Sequence, residues 1–447
     1  MTHPSKEANL TVWIDWLMCL HAQEIDLGIE RVAKIAEALG VTKPAPFVIS
    51  VAGTNGKGSS VNMLASILKA SGYNVGTYTS PHILLFNERI QINAQMVKEA
   101  EIVAAFYEIE QARGQLKLTY FEFATLAALV IFKQKKVDVA VLEVGLGGRL
   151  DAVNLVDADA ALISAIGIDH IEWLGSDRSV IATEKAGITR AHKPAVCSDP
   201  NPPQSLWDYA LQKQVPLSCL GRDFTFQSAA LSDSNNHNTR YKNDQAWSFS
   251  FKNTQSDLVN KPLPLPALNG AFQIQNAAGV LALLCQVHKS LPVGYDAVCK
   301  GLRSVTNPGR LQQITINNQA WLIDVAHNPQ SAQALAEYLT SLSQTIQYNA
   351  VFSVLSDKDS LPMVQILAPF IDQWFIADLS IARATPLPAL KTVLLNAGVA
   401  ENKILFADSI DQAVDCVAKD GAHPVLVWGS FFTVSQTLSA LQKRHWY

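Results

Sequence analysis

The sequence predicts an α/β protein with two domains, on three observations. Short, apolar, β-branched segments typical of strands buried on both faces alternate with segments of helical spacing, which indicates a mostly parallel sheet with flanking helices. The glycine-rich stretch GTNGKGSS follows the first such strand and precedes a helix, so this sheet is predicted to be of the P-loop type. The same alternation resumes after SVTNPGR (304–310), which predicts a larger domain over residues 1–303 and a smaller, Rossmann-like C-terminal α/β domain over residues 308–447.

The first domain shows the clearest alternation. Residues 10–39 have apolar side chains at helical spacing on both sides of a break near residues 23–28. Strands are predicted at 47–53, 74–81, 137–145 and 160–167, and helices at 61–72, 121–134 and 271–288. The polar stretch 221–260 contains FTF and WSFSF at alternating spacing, so a β-hairpin with a loose loop is expected there, followed by a proline-rich connector, KPLPLPALNG.

The second domain repeats the pattern on a smaller scale. Its strands are predicted at 320–326, 349–355, 374–379 and 424–430, with one helix at 331–342 and another after the last strand.

Composition narrows the class of protein. Hydrophobic residues make up 49% of the 447-residue chain and charged residues 17%, which is enough apolar material for large cores. The formal net charge of −4 offers no basic surplus for nucleic acid or for an anionic membrane. The six cysteines form no CxxC pair, which fits reduced thiols better than a zinc site or a disulfide framework. Without a leader-like N-terminus or a membrane-length apolar stretch, a cytoplasmic protein is expected.

Residues 53–59 are the first candidate site. Glycines let backbone N–H groups curl around phosphate oxygens, and the N-terminus of the following helix favours an anion. Lys57 can reach the β- and γ-phosphates, and Ser59 can hydrogen-bond them or face a metal. The spacing departs from the strict phosphate-loop pattern, because Val51 occupies the first glycine position and Gly58 follows the lysine. An ordinary glycine-rich turn is the alternative, but a lysine between a strand and a helix favours a nucleotide site.

Further polar side chains follow two other strands. Glu143 begins EVGLGGRLD at the carboxyl end of a buried strand, where open α/β sheets bind ligands and where an oxygen donor suits Mg²⁺. Its alternative is a solvated strand-end glutamate. Asp169 and His170 follow a neighbouring strand, where the histidine is either a ligand or a capping residue. Lys185, in EKAGI, is by pattern alone a surface lysine.

Together these motifs resemble the bifunctional dihydrofolate synthase/folylpolyglutamate synthases of the Mur ligase superfamily. AGTNGKGS, SPH (80–82), LEVGLGGRLDA, GIDH and EKAGI carry the resemblance in the first domain, and PGR (308–310) and DVAHNP (324–329) carry it in the second. It covers nearly the whole chain and is weakest over 200–265.

The resemblance implies a role for each matching residue. The residues that would bind ATP are Thr54, Asn55, Gly56, Lys57, Gly58, Ser59, Asn276, Arg310 and Asp324. Lys57, Lys185 and His327 would be catalytic, with His327 near the transferred phosphate. Two Mg²⁺ sites are implied, one at Ser80 and Glu143 and one at Glu143, His170 and Lys185. In the second site Lys185 would be carbamylated to N6-carboxylysine, which gives it a carboxylate-like oxygen donor.

The resemblance also implies a pteroate site made of three segments. They are Ile25, Asp26 and Leu27; Thr119, Tyr120, Phe121 and Glu122; and Leu150, Asp151 and Ala152. Leu27 and Phe121 would contact the flat pterin ring, and Asp151 could accept N–H groups from its edge. The alternative is that the apolar members are core residues and Asp151 caps a loop.

The implied activity is ATP-dependent ligation of L-glutamate to dihydropteroate and to folates, including tetrahydrofolates, through an acyl phosphate. Catalysis would be mostly positioning and electrostatics, with a two-domain ATP site that closes on binding. A monomer is expected. A dedicated folylpolyglutamate synthase is one alternative. Another is a different Mur-type ligase, although only 52 residues precede Gly53, too few for a nucleotide-sugar domain. A GTPase switch would need an N-K-x-D motif, which the sequence lacks.

Overall fold

The chain divides into two compact units, each with its own sheet. Unit 1 comprises residues 1–82, 86–267 and 273–306, and unit 2 comprises residues 83–85, 268–272 and 307–447. The structure, a computed structural model, describes residues 3–21, 26–228, 246–252, 256–343, 345–421 and 423–446. Both units are α/β with mostly parallel sheets, so the predicted fold class is confirmed.

Unit 1 is built on a sheet whose described strands run in the order β4-β3-β2-β5-β1-β6-β7-β8. The strands are β1 (Phe47–Ala52), β2 (Val75–Tyr78), β3 (Ile90–Ile92), β4 (Gln95–Met96), β5 (Val139–Glu143), β6 (Ala160–Ile163), β7 (Ala195–Cys197) and β8 (Leu217–Cys219). The strands from β2 to β8 in this order are parallel, while β3 and β4 add an antiparallel edge.

Burial explains why helices cover this sheet on both faces. Every residue of β5, and every residue of β1 after Phe47, is buried, so neither face can meet water. The helices of unit 1 are α1 (Leu10–Leu20), α2 (Glu30–Ala38), α3 (Lys57–Ala70), α4 (Glu99–Arg113), α5 (Tyr120–Gln134), α6 (Ile171–Leu174), α7 (Arg178–Ala186), α8 (Gln204–Gln212), α9 (Phe272–Val287) and α10 (Tyr295–Ser304). Helix α5, started by a Thr119–Glu122 capping box, is buried almost all round and forms an interior layer.

Unit 1 also contains a separate, small antiparallel sheet. It contains β9 (Phe224–Ser228), β10 (Ala246–Phe251) and β11 (Pro262–Pro264), in the order β11-β10-β9. The predicted pairing of the two aromatic segments is confirmed, and the loop predicted between them, residues 229–245, lies outside the described residues. The proline-rich connector contributes the third strand, at an edge, where proline's missing N–H costs no ladder bond.

Unit 2 has a second sheet in the order β12-β13-β17-β14-β15-β16. Its strands are β12 (Gln312–Ile316), β13 (Gln319–Ile323), β14 (Tyr348–Phe352), β15 (Ile371–Ala377), β16 (Ile404–Ala407) and β17 (Val425–Trp428). Its helices are α11 (Pro329–Leu342), α12 (Ser360–Leu367), α13 (Leu387–Asn396), α14 (Ile410–Asp420) and α15 (Phe431–Lys443). Among the described strands of this sheet, β12 pairs antiparallel and the others pair parallel.

Predicted and observed boundaries differ by a few residues. Helix α3 begins at Lys57 and not at residue 61, because Gly56 adopts a left-handed conformation (φ 88°) that turns the chain directly into the helix. Strand β2 ends at Tyr78, short of the predicted residue 81, where its pairing with β3 and β5 stops. Across the described residues, no helix combines the length and apolarity needed to cross a membrane.

Candidate active site

The carboxyl ends of three neighbouring parallel strands define the site in unit 1. Strand β1 lies between β5 and β6, and all three run in the same direction. The loops that leave them therefore emerge at one edge of the sheet. These loops contain the glycine-rich stretch, the segment after Glu143 and the segment that ends at His170, which is the placement that open α/β sheets use for ligands.

The glycine-rich loop is fixed to the segment that follows β6. Thr54 donates its backbone N–H to Ala165 O (2.7 Å) and its hydroxyl to Gly167 O (2.8 Å). Ser164 donates its hydroxyl to Asn55 O (2.7 Å). These bonds hold the loop open as a backbone cradle at the start of α3, so an anion can bind at the helix N-terminus.

Glycine is required at two positions of this loop. A Cβ at Gly53 would lie 1.8 Å from Ser164 Oγ, and one at Gly56 would lie 2.6 Å from Asn276 Oδ1. Asn276 itself is held beside the loop, since its amide donates to Gln273 Oε1 (3.0 Å) and Gln273 donates to Ser59 Oγ (3.3 Å). Asn276 of α9 therefore lies beside the phosphate loop, which is the position that its implied role in ATP binding requires.

Lys57 is the cation of this loop. Its Nζ donates to Gly53 O (3.0 Å) and Thr54 O (3.3 Å), so the ammonium group curls back over the cradle. The side chain is half-buried, and the charge is fixed where phosphate oxygens would bind.

Glu143 is buried at the end of β5, with 4% of its surface exposed. The backbone N–H of Ser80 donates to Glu143 Oε2 (3.2 Å), which brings the two residues predicted to hold a metal together. A solvated strand-end glutamate is therefore excluded. Carboxylate and hydroxyl oxygens, such as those of Glu143 and Ser80, are donors that suit Mg²⁺. Among the described residues, no three His, Cys, Asp or Glu side chains form a ready-made metal cage.

Lys185 is not the surface lysine that its helix pattern suggests, because only 3% of it is exposed. Burial and the nearby Lys57 ammonium lower the pKa of Lys185 to about 7, while Asp169 opposes the shift. The loop after Glu143 packs on α7 at this point: a Cβ at Gly148 would lie 2.6 Å from Glu184 O. Near neutral pH an amine with this pKa is partly unprotonated, and the unprotonated amine is chemically able to react with carbon dioxide.

His170 follows β6 and begins α6 in a left-handed conformation (φ 52°), half-buried. Its backbone N–H donates to Asp169 Oδ1 (2.8 Å). The histidine thus lies on the same chain segment that anchors Thr54, at the same edge of the sheet as Glu143.

The three segments predicted to bind pteroate also meet, through an arginine that the sequence patterns did not single out. Arg31 of α2 donates from Nη1 to Asp26 Oδ2 (2.6 Å) and from Nε to Glu122 Oε2 (3.1 Å). Gly28 donates its N–H to Leu150 O (3.2 Å), which connects the first segment to the third. Ile25 lies outside the described residues, and Leu27 lies next to Asp26 in a half-buried position.

Several of these polar side chains are occupied by internal contacts. Thr119 and Glu122 are buried and bond to each other as a helix cap. Asp151 accepts N–H groups from Leu146 (2.8 Å) and Val153 (2.9 Å), and burial raises its pKa to about 6. Ala152 is buried behind it.

The aromatic pair Tyr120 and Phe121 is half-buried at the start of α5. The Phe121 ring packs against Gly145, where a Cβ would lie 2.6 Å from it, and lies 6.0 Å from the Tyr78 ring. An aromatic face is therefore available beside the loop that carries Leu150 and Asp151.

Unit 2 gathers its own predicted residues at the carboxyl ends of β13 and β17. Asp324 is buried and accepts N–H groups from Leu311 (2.8 Å) and Ala326 (2.7 Å); burial raises its pKa, and the charge of Arg310 opposes that shift. Phe431 lies between the two remaining residues, with the Arg310 guanidinium carbon 5.2 Å and the His327 ring 5.8 Å from its ring. The sequence patterns missed Phe431, whose signal is an aromatic residue directly after a strand-end Gly-Ser.

The imidazole of His327 has a fixed orientation. Its Nδ1 lies 2.8 Å from Val325 O and donates to that carbonyl, which directs Nε2 away from the backbone. The following residue, Asn328, caps α11.

Comparison with known proteins agrees with this architecture. The Mur ligase middle domain matches residues 51–284, and the Mur ligase glutamate ligase domain matches residues 309–431. A dihydrofolate synthase/folylpolyglutamate synthase of Escherichia coli (strain K12) is 40% identical over 99% of this chain and 97% of its own.

Solved structures give the same result. E. coli FolC in complex with DHPP and ADP superposes with a TM-score of 0.88 at 39% identity, over 99% of this chain and 100% of that one. A bifunctional folylpolyglutamate synthase/dihydrofolate synthase with Mn, AMPPNP and L-glutamate bound superposes with a TM-score of 0.85 at 38% identity, over the same shares. The chain belongs to the dihydrofolate synthase/folylpolyglutamate synthase family of Mur ligases.

Proposed function

We infer that this chain is an ATP-dependent acid–amino-acid ligase that joins L-glutamate to dihydropteroate, forming dihydrofolate, and to folates, extending their glutamyl tails. The observation that carries this inference is the convergence of Lys57, the Ser80–Glu143 pair and buried Lys185 at one edge of a P-loop-type sheet. Relatives that match over the full chain are named for both reactions, and one solved relative contains a nucleotide analogue, Mn and L-glutamate.

The chemistry explains why such a site is needed. A carboxylate is a poor acyl donor, so one of its oxygens first attacks the γ-phosphorus of ATP, and ADP leaves from an acyl phosphate. The amine of glutamate then attacks the carbonyl carbon, and inorganic phosphate leaves. Both steps spread negative charge over phosphate oxygens, which preorganised cations and N–H donors stabilise.

We propose the following roles in unit 1. Residues 54–59 bind the phosphates of ATP, with Lys57 neutralising charge on the transferred group and Asn276 fixing the loop. Ser80 and Glu143 hold a first divalent cation. Glu143, His170 and carbamylated Lys185 hold a second. The cations supply charge neutralisation at the phosphate oxygens. The burial of Glu143 and Lys185 supports this assignment, since a buried charge needs a partner of opposite sign.

The remaining roles are also proposals. In unit 2, we assign the binding of ATP or its transferred phosphate to Arg310, Asp324 and His327. The contacts of Arg310 and His327 with Phe431 support this assignment, and so does the buried carboxylate of Asp324. The segments at 25–27, 119–122 and 150–152 bind the pterin-bearing acceptor, with Phe121 as its apolar contact. We propose the functional division at 303/308, a monomeric enzyme and tetrahydrofolates as acceptors.

One experiment tests the function. Purified enzyme is given ATP, Mg²⁺ and L-glutamate with dihydropteroate or tetrahydrofolate, and ADP formation and the ligated product are measured. Lys57→Ala should lose at least ~100-fold in kcat with an unchanged fold, by analogy with the removal of one preorganised electrostatic contact. Glutamate-dependent turnover with tetrahydrofolate alone would instead identify a dedicated folylpolyglutamate synthase. A folded Lys57→Ala enzyme that keeps about a tenth of its activity would contradict the role of the loop.

A further inference from the structure

Arg89 of unit 1 is a buried cation to which neither the sequence motifs nor the proposed machinery assigns a role. It ends the short turn Phe86–Arg89 that leads into β3, and only 7% of its surface is exposed. Few arginines are buried this deeply unless a carboxylate accompanies them.

The neighbours of the guanidinium group are neutral. Its Nε donates to His82 Nδ1 (2.8 Å), and it hydrogen-bonds the Tyr120 hydroxyl. Its central carbon lies 5.3 Å from the Tyr120 ring and 5.7 Å from the Phe86 ring, so the two rings hold its plane. Among the described residues, no carboxylate forms an ion pair with Arg89.

Other shielded arginines of unit 1 differ in this respect. Arg113 pairs with Glu110 (2.5 Å), and Arg31 pairs with both Asp26 and Glu122. An unpaired buried cation destabilises a fold, because it loses hydration without gaining an opposite charge. A buried arginine of this kind is explained if the carboxylate that pairs with it belongs to a bound ligand. The planar fork of N–H donors suits a carboxylate in particular.

The position of Arg89 identifies which ligand that would be. Its carbonyl accepts the N–H of Thr79 (2.9 Å), and the next residue, Ser80, donates to Glu143. On its other side Arg89 contacts Tyr120, next to Phe121. Arg89 therefore adjoins the segment proposed to hold a metal through its backbone, and a residue proposed to hold the pterin-bearing substrate through its side chain.

We propose that Arg89, together with the Tyr120 hydroxyl, binds a non-reacting carboxylate of a glutamate unit, either on the glutamyl tail of the folate acceptor or on the incoming L-glutamate. The proposal rests on the proposed ligase function. The reacting carboxylate loses its charge when it is phosphorylated, so a permanent cation on it would favour the ground state over the transition state. A carboxylate that keeps its charge throughout the reaction pairs with Arg89 equally well at every step.

The first test separates substrate binding from a structural role. Arg89→Met, Arg89→Lys and the control Arg113→Met are compared without ligands by urea unfolding. Arg89 has only neutral partners, so its desolvation cost is not offset by an opposite charge. The midpoint of Arg89→Met should therefore be equal to or above that of the wild type, whereas Arg113→Met breaks an ion pair and should lower the midpoint. If Arg89→Met falls as far as Arg113→Met, Arg89 is structural and the proposal is wrong.

The second test identifies the carboxylate by steady-state kinetics. Arg89→Met should raise one KM by about 10- to 100-fold, the effect of one lost charge-assisted contact, with KM for ATP unchanged and part of the loss recovered in Arg89→Lys. A raised KM for tetrahydrofolate alone, with dihydropteroate turnover unaffected, indicates the tail carboxylate, which dihydropteroate lacks. A raised KM for L-glutamate with both acceptors indicates the incoming amino acid. Unchanged values, or an equal rise for ATP, would overturn the proposal.

Thermal shifts keep this inference separate from the ligase function. L-Glutamate or a folate polyglutamate should raise the melting temperature of the wild-type protein more than that of Arg89→Met, while ATP with Mg²⁺ should stabilise both equally. This comparison needs no turnover. An inactive wild-type enzyme would therefore contradict the proposed function, whereas equal carboxylate-induced shifts in both proteins would contradict only the role of Arg89.

Discussion

Gly56→Ala is the most direct test of whether the glycine-rich loop binds ATP in the conformation described. Gly56 has a φ of 88°, where an L-residue costs roughly 1–2 kcal/mol. The new Cβ would also lie 2.6 Å from Asn276 Oδ1, so Asn276 must turn away and lose its bond to Gln273, worth about 1 kcal/mol. Together these effects oppose the binding-competent loop by about 2–3 kcal/mol, which corresponds to a ~30- to 150-fold rise in KM for ATP.

The chain offers a matched control at the other end of the same helix. Gly72 follows α3 with a φ of 94°, and nothing lies within 4 Å of an added Cβ. Gly72→Ala should therefore lower the free energy of unfolding by the same roughly 1–2 kcal/mol and leave KM for ATP unchanged. Urea unfolding and ATP titrations on both variants separate the cost of the backbone conformation from the loss of nucleotide binding.

A double-mutant cycle isolates the contact with Asn276. If the Gly56 methyl group acts partly through Asn276, the effects of Gly56→Ala and Asn276→Ala on KM for ATP should combine to less than their sum. A Gly56→Ala enzyme whose KM for ATP stays within about threefold of the wild-type value, beside a destabilised Gly72→Ala, would refute the assignment of this loop to ATP.

Four further predictions test other parts of the site. Because burial raises the pKa of Asp151 to about 6, the folded protein holds this proton more tightly than the unfolded chain, and the contribution of Asp151 to the free energy of unfolding falls as pH rises from about 4 to 6. The stability of Asp151→Asn relative to wild type, from urea unfolding, should therefore be greater near pH 7.5 than near pH 4.5, by about 2 kcal/mol. Arg310→Ala should raise KM for ATP ~10-fold or more and change KM for L-glutamate little, and equal effects on both would count against its nucleotide role. Arg31→Leu should raise KM for both pterin acceptors but not for ATP, since it releases Asp26 and Glu122 together; a uniform loss of activity would mean that Arg31 only stabilises the fold. Lys185→Ala should abolish turnover, with partial recovery when acetate is added, and an unmodified Lys185 in a well-resolved crystal structure of the active wild-type enzyme would exclude the carbamate.

The parts of the site that could be predicted from the sequence are those encoded by adjacent residues. The glycine-rich loop needs only a buried strand, a run of glycines and a helix in succession, and all three lie within residues 47–70. Glu143 was predicted for the same reason, because it ends an apolar strand. The patterns also predicted the pairing of the aromatic segments at β9 and β10, since alternation is a local property.

Contacts between distant residues left no such signal. Arg31 connects Asp26 to Glu122, which lies 91 positions after Arg31, and the pattern of α2 gives no indication of either partner. Lys185 is buried where Gly148 closely approaches α7, and the sequence of α7 alone gives no indication of this contact. Phe431 and Arg89 likewise acquire their neighbours only when the sheets form.

Polar side chains that are already hydrogen-bonded within the protein are less able to recognise the pterin-bearing acceptor. Asp26 and Glu122 are held by Arg31, and Thr119 is held by Glu122, so these residues position the segments that surround the acceptor. A carboxylate has about four acceptor sites, and backbone N–H groups of Gly145, Leu146 and Val153 occupy three of those on Asp151, so Asp151 combines a fixed loop position with one remaining acceptor site. Recognition of the pterin edge would then depend on Asp151 and the face of Phe121, while recognition of a glutamate carboxylate would depend on Arg89. Two separable contacts of opposite polarity would let one site accept both an acceptor that lacks a glutamyl tail and acceptors that carry one.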